Sequence, residues 1–176
     1  VLVNQLINFS SIGASGSVSY KVPSIKLQSE SGIFVYSGIK TSATASSLSG
    51  ASVANGGDIE LIATSGVIYL ASTGYLEAKG ANNTNATAGS LGGNGGAITI
   101  NGYAGLTLIG TINNANGYSN NTVATLNLSK PGTLTLNTNN TTVTNGGGVN
   151  DGQTTNTITV GHRDASLPFS YYDDQQ

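Results

Sequence analysis

Apolar residues in this chain come as alternating triplets that return at a fixed phase, and this rhythm restricts the available folds more than any other feature. The triplets are Ile25/Leu27 then Ile33/Val35, Ile59/Leu61 then Ile68/Leu70, Ile98/Ile100 then Leu106/Leu108, and Leu126/Leu128 then Leu134/Leu136. A fifth cycle opens at Ile158/Val160, and a third apolar contact closes the first four at Ile39, Leu76, Ile112 and Val143. The second triplet starts eight or nine residues after the first in every cycle. Alternation places both apolar residues of a triplet on one face of a strand. A constant offset with insertions at one phase marks a repeat architecture. The spacing therefore predicts an all-β chain built as a parallel β-solenoid of roughly four to five triangular coils. An antiparallel β-sandwich, which also alternates and turns often, is the alternative.

The cycle from Asp58 illustrates the reading. Asp58-Ile59-Glu60-Leu61 alternates polar and apolar, Ala63-Thr64-Ser65-Gly66 makes a small-residue bend, and Val67-Ile68-Tyr69-Leu70 supplies a second strand. Ser72-Thr73-Gly74 bends again before Leu76 and Ala78 complete a third face. Stacked cycles would superpose Ile25, Ile59, Ile98, Leu126 and Ile158 in one aliphatic ladder, and Ile33, Ile68, Leu106 and Leu134 in a second. No single coil buries its own apolar face, so stacking must stabilise the fold. Insertions fall near residues 40–57, 79–96, 113–122 and 144–156, one phase of the cycle, and often such a flank is the binding flank. Residues 1–23 are read as an N-terminal cap or exchange strand, 24–160 as the solenoid and 161–176 as a C-terminal tail. Val1, Leu2, Val3, Leu6, Ile7 and Phe9 are the candidate subunit-contact residues, because an apolar terminus can pair with a neighbour's strand edge.

Composition narrows the functional classes. Gly, Ser, Thr and Asn oppose long helices, since the polar side chains compete for backbone hydrogen bonds and Gly carries an entropy cost. Charged residues make up only 8% of the chain, and six scattered Lys and Arg form no patch able to neutralise phosphates. Nucleic acid is therefore not an expected partner. No apolar run approaches the ~20 residues of a membrane-crossing helix, so membrane insertion is not expected either. Without cysteine there is no disulfide framework. The chain opens on Val1 rather than Met and is read as a processed subunit or a piece of a longer protein. Its small uncharged polar residues lean towards an extracellular setting.

Gly56-Gly57-Asp58-Ile59-Glu60-Leu61-Ile62-Ala63 and Gly95-Gly96-Ala97-Ile98-Thr99-Ile100 resemble the GG-x-I-x-I/L openings of filamentous haemagglutinin-type repeats. Leu106-Thr107-Leu108-Ile109-Gly110-Thr111-Ile112-Asn113 resembles the coil that follows, with Ala115-Asn116-Gly117 at the position of a small-residue turn. The likeness spans about residues 24–160. It implies a right-handed parallel β-helix in an exported surface or secreted protein, commonly an adhesin. Expected partners are then other copies of the chain or surface glycans, at the cell surface or outside it.

Catalytic and metal chemistry finds little purchase. Gly92-Gly93-Asn94-Gly95-Gly96-Ala97-Ile98 has the glycines of a calcium-binding β-roll but Ala97 where a carboxylate is required, so it reads as a turn entering a strand. The glycine run lacks the lysine of a phosphate-binding loop. Glycoside cleavage needs two carboxylates across a cleft. Asp58 and Glu60 share an outward face and Glu77 stands near Lys79, but surface ion pairing explains both. His162-Arg163-Asp164 joins a base, a cation and an acid without a nucleophile, and reads as a solvated turn. No catalytic residue, cofactor site or metal site is assigned, and the expectation is a non-enzymatic protein. Candidate glycosylation positions, on Asn-x-Ser/Thr sequons, are Asn8, Asn82, Asn85, Asn120, Asn127, Asn139 and Asn140.

Overall fold

The computed structural model describes residues 1–10, 20–45, 47, 53–85, 90–117, 132–138, 143–145, 149–150 and 158–162, and among these every regular element is a strand. In chain order they are β1 (Leu2–Val3), β2 (Ile7–Asn8), β3 (Ile25–Ser29), β4 (Gly32–Val35), β5 (Gly38–Lys40), β6 (Ile59–Ala63), β7 (Val67–Leu70) and β8 (Tyr75–Glu77). There follow β9 (Ile98–Gly102), β10 (Gly105–Leu108), β11 (Thr111–Asn113), β12 (Leu134–Thr138), β13 (Val143–Asn145), β14 (Val149–Asn150) and β15 (Ile158–His162).

Every third strand joins the same sheet. The orders are β1-β4-β7-β10-β13, β2-β5-β8-β11-β14 and β3-β6-β9-β12-β15. All described pairings are parallel, which removes the antiparallel sandwich and is consistent with a parallel β-helix. Such strands succeed one another through corners, not hairpins, because parallel neighbours must be a full cycle apart in sequence.

The core is a set of aliphatic columns between the sheets. Ile59, Leu61, Ile98, Ile100, Ile33, Val35, Ile68, Leu70, Leu108, Ile39 and Leu76 are all fully buried. Each lies one parallel register step from its equivalent, as Ile59 does from Ile98 and Ile68 from Leu106. Burying a side chain of this size is worth about 1.5–3 kcal/mol. Outward positions between them carry Lys26, Glu60, Thr99 and Thr135 in one in-register row.

The fourth cycle corrects the sequence reading. Leu134, not Leu126, continues the column of Ile25, Ile59 and Ile98, and Ile158 is next in backbone register. The second column runs Ile33, Ile68 and Leu106, with Val143 next in backbone register, and the third Ile7, Ile39, Leu76 and Ile112, with Val149 next in backbone register. Leu126 and Leu128 lie outside the described residues. Glycines mark this phase in the middle of the column, where Gly57, Gly96 and Gly132 stand two residues before Ile59, Ile98 and Leu134 and follow Pro23 of the first cycle. A Cβ on Gly96 would collide with the Gly57 carbonyl, one on Gly132 with the Gly96 carbonyl, and one on Gly57 with the Pro23 carbonyl. Leu134 is preceded at that distance by Gly132, whereas Leu126 is preceded by Ala124.

The inserted segments follow the third strand of each cycle, after β2, β5, β8, β11 and β14. They are laddered as well. Val22 N–H donates to Asn55 O, Ala81 N–H to Ala54 O, Gly93 N–H to Ala81 O and Gly117 N–H to Gly93 O, at 2.8–3.0 Å. Val22, Ala43, Val53, Ala54 and Ala81 bury a second, smaller apolar cluster beneath them.

At the amino terminus, β1 and β2 pair with β4 and β5 of the same chain. Val3 is buried, Ile7 is half-buried, and Val1, Leu2, Leu6 and Phe9 are exposed. Of the residues read as a tail, only Gly161 and His162 are described, at the end of β15.

Two substitutions test the stacked columns. Ile98→Ala should cost about 2–5 kcal/mol of unfolding free energy by urea titration, the range for emptying a packed aliphatic site. Gly96→Ala should also destabilise, although Gly→Ala within a strand ordinarily gains roughly 0.5–1 kcal/mol. A neutral or stabilising Gly96→Ala would mean that the carbonyl stack is absent.

Candidate functional site

Where β5 and β8 run out into the inserted segments, their outward residues meet in a polar cleft. Register sets Lys40 directly opposite Glu77. Parallel pairing then continues past the strand ends, with Thr41 N–H donating to Glu77 O at 2.8 Å and Ala43 N–H to Lys79 O at 2.9 Å. Lys40, Ser42, Ala43, Thr44, Ala45, Glu77, Lys79, Gly80 and Asn82 therefore line one depression of about 230 Å³.

Its polar groups are closely coupled. Lys40 Nζ lies 2.9 Å from Glu77 Oε1. The Ser42 hydroxyl donates to the same oxygen at 2.9 Å and accepts from Lys79 N–H at 3.0 Å. Ser42 is buried and satisfied on both sides, which fixes the carboxylate's orientation. Thr41, fully buried beside it, donates from Oγ1 to Gly57 O at 2.7 Å. Burial of the Glu77 carboxyl raises its pKa, but hydrogen bonds from Lys40 and Ser42 and the charges of Lys40 and Lys79 outweigh that and hold it below its ordinary value of 4.5. Lys79, half-buried on the same rim, has no carboxylate within ion-pair distance among the described residues.

The other acids weighed from the sequence are drawn into similar pairs. Asp58 pairs with Lys21 and accepts from Ala97 N–H at 2.8 Å, while Glu60 pairs with Lys26 at 3.0 Å. The ion-pair partner of Glu77 is Lys40 rather than the expected Lys79, which acts only through its charge. Arg163 and Asp164 lie outside the described residues, and no cluster of three potential metal ligands occurs among those described. No helix among the described residues is long and apolar enough to cross a membrane.

A second feature escaped the sequence reading. The outer face of the β1-β4-β7 sheet bears Leu2, Phe34 and Tyr69 in one register row, with Tyr36 beside them. The Phe34 and Tyr69 ring centres lie 6.5 Å apart and those of Tyr36 and Tyr69 5.8 Å apart, both tilted. Leu2, Phe34, Tyr36 and Val67 are exposed. The signal was present in Ile33-Phe34-Val35 and Ile68-Tyr69-Leu70, where an aromatic residue takes the outward place between two inward aliphatics.

Among the sequons, Asn8 lies exposed in β2, Asn82 borders the cleft and Asn85 is half-buried in an inserted segment. Asn120, Asn127, Asn139 and Asn140 lie outside the described residues.

No family model, curated protein or solved structure matches this chain.

The coupled carboxylate makes a pH prediction. Because Glu77 titrates lower folded than unfolded, its contribution is full above the unfolded pKa and is lost as pH falls through the folded value. Glu77→Gln should lower stability at pH 7 by roughly 1 kcal/mol, as suits a partly exposed pair. Urea midpoints of wild type and variant should then converge on acidification from the ordinary glutamate range down through the lowered folded value. A gap that is constant with pH would show that the charge of Glu77 contributes nothing.

Proposed function

We propose that this chain is a non-catalytic structural and adhesive module of an extracellular surface protein, a right-handed parallel β-helix of closed triangular coils acting as a rigid stalk. The observation that carries this reading is the unbroken succession of parallel sheets, in which every third strand adds one step of about 4.8 Å to the same column. Such a lattice transmits load through many backbone hydrogen bonds at once and leaves its outer faces for contact. The likeness to filamentous haemagglutinin-type repeats supports export to the cell surface. The exposed aromatic row and the rim cleft supply contact surfaces on two different faces. The state of Glu77 speaks against one catalytic role, that of proton donor. Glu77 is held ionised by Lys40 and Ser42, the opposite of a general acid, whose pKa must be raised.

Electron microscopy of the purified chain, joined with a surface-retention assay on immobilised glycans, tests the proposal. A slender column that is retained on neutral glycans, and loses that retention when Tyr36 and Tyr69 are both changed to Ala, is the expected result. A compact globule without retention would sink it.

A second reading, a filament subunit that assembles through its N-terminal segment, is favoured by the first cycle. Ile7, Ile25 and Leu27 are only partly covered, unlike their fully buried equivalents Ile39, Ile59 and Leu61. Val1, Leu2, Val3, Asn4, Gln5, Ile7 and Leu27 border an open depression of about 190 Å³ there. Stacking another copy on this edge would complete the columns. Under this reading Leu6→Asp with Phe9→Asp abolishes fibres seen by electron microscopy; fibres that persist rule the reading out.

A further inference from the structure

From the rim cleft we infer a binding site for a monocarboxylate sugar acid, a uronate-type residue of an acidic glycan, seated on the Lys79 ammonium. This rests on the adhesive reading and names the ligand chemistry for one of its faces.

The charge count selects the ligand. Lys40 and Glu77 neutralise one another at 2.9 Å, so the second ammonium, Lys79, leaves the cleft with one positive charge. One ammonium balances one carboxylate. A phosphate dianion or a polysulfated chain would bring excess negative charge against Glu77, which lines the same space. That carboxylate is also the acceptor a sugar needs for its hydroxyls. Glu77 stays ionised, because its neighbours hold its pKa below the ordinary value, so it accepts throughout the neutral range. Charged acceptors and donors of this type make the stronger class of hydrogen bond.

Size agrees with the charge. The depression of about 230 Å³ falls below the ~300–1,000 Å³ of sites for drug-sized ligands, and suits a single ring more than a longer segment enclosed at once. Its walls are fixed before any ligand arrives. Ala43 N–H to Lys79 O and Gly80 N–H to Ala115 O tie both sides of the cleft into the backbone ladder. Ser42 holds Glu77 from one side while its oxygen receives the Lys79 amide. Little ordering is left for binding to require, which is how a small polar site gains affinity.

The test titrates the unglycosylated full chain with galacturonate, with trigalacturonate and with neutral galactose, following amide shifts by NMR at low salt. Saturable shifts confined to residues 40–45 and 77–82, with a dissociation constant of roughly 1–10 mM for galacturonate and none for galactose, are expected. Trigalacturonate distinguishes a free sugar acid from a glycan: equal or tighter binding places the site on a chain, and rejection overturns the assignment to a glycan residue. Lys79→Gln should weaken galacturonate at least about tenfold. Lys26→Gln removes the same charge from the Glu60 pair elsewhere and should leave binding unchanged. Equal losses in the two variants, equal binding of galactose, or no saturable shift would overturn the assignment. Retention on neutral glycans in the absence of galacturonate binding would retire this cleft alone and leave the adhesive reading standing. Thermal melts of each variant confirm that it is folded.

Discussion

Everything in this structure depends on the backbone of one cycle finding its hydrogen-bond partners in the next. The requirement does not stop at strand ends. Corner residues obey it too: Thr64 N–H donates to Ser29 O, Ala71 to Val35 O, Tyr103 to Ala63 O and Ile109 to Leu70 O, at 2.9–3.0 Å. A buried peptide group without a partner is costly, so each cycle must repeat the path of the one before it, bends included. That repetition makes each phase of the cycle a single environment shared by all cycles. At Gly57, Gly96 and Gly132 there is no room for a side chain, because a carbonyl of the preceding cycle occupies the place of a Cβ. The phase of Ile59 and Ile98 admits only apolar ones because nothing polar lies within the column.

The charges serve a different purpose. Lys21–Asp58, Lys26–Glu60 and Lys40–Glu77 all join the first cycle to the second. Exposed pairs of this kind are worth about 0–1 kcal/mol each, too little to hold the cycles together against the aliphatic columns. Their value lies in register. Slipping one strand by a single residue turns every inward side chain outward and also breaks the facing of Lys26 with Glu60. In later cycles the same outward row carries Thr99 and Thr135, whose positions are fixed by the columns alone.

How much of this could be read from the sequence depends on how directly a residue type reports its phase. Ile25, Ile59 and Ile98 announce theirs, because alternation with a constant offset has few other causes. Leu126 and Leu128 imitate the pattern without the glycine that stands two residues before Ile59, Ile98 and Leu134, and apolar periodicity alone assigned them the column that Leu134 occupies. The inserted segments were less legible. Their ladder is made by peptide groups, and Asn55, Ala81 and Gly93 look like ordinary loop residues until the backbones are seen superposed. The cleft was half visible. Glu77 and Lys79 are two residues apart in sequence, but Lys40 and Ser42 reach them from a full cycle away, through register that only the stacked strands define.

This origin of the cleft bears on what kind of site the fold can support. In most folds a site on an insertion inherits the softness of the loop that carries it. Here the insertion starts as a continuation of the parallel ladder, with Thr41 and Ala43 still paired to Glu77 and Lys79 beyond the last residue of β5. The small cluster of Val22, Ala43, Val53, Ala54 and Ala81 then supports it from beneath. Side chains on such a platform are positioned by the columns themselves, so the interaction that holds the coils together also holds Lys40, Ser42, Glu77 and Lys79 in place. Sequence change is free where the ladder makes no demand on side chains, which is outward at the rim, and diversity at that phase therefore costs the scaffold little. A fold built in this way can alter its outward side chains from cycle to cycle while its core stays the same.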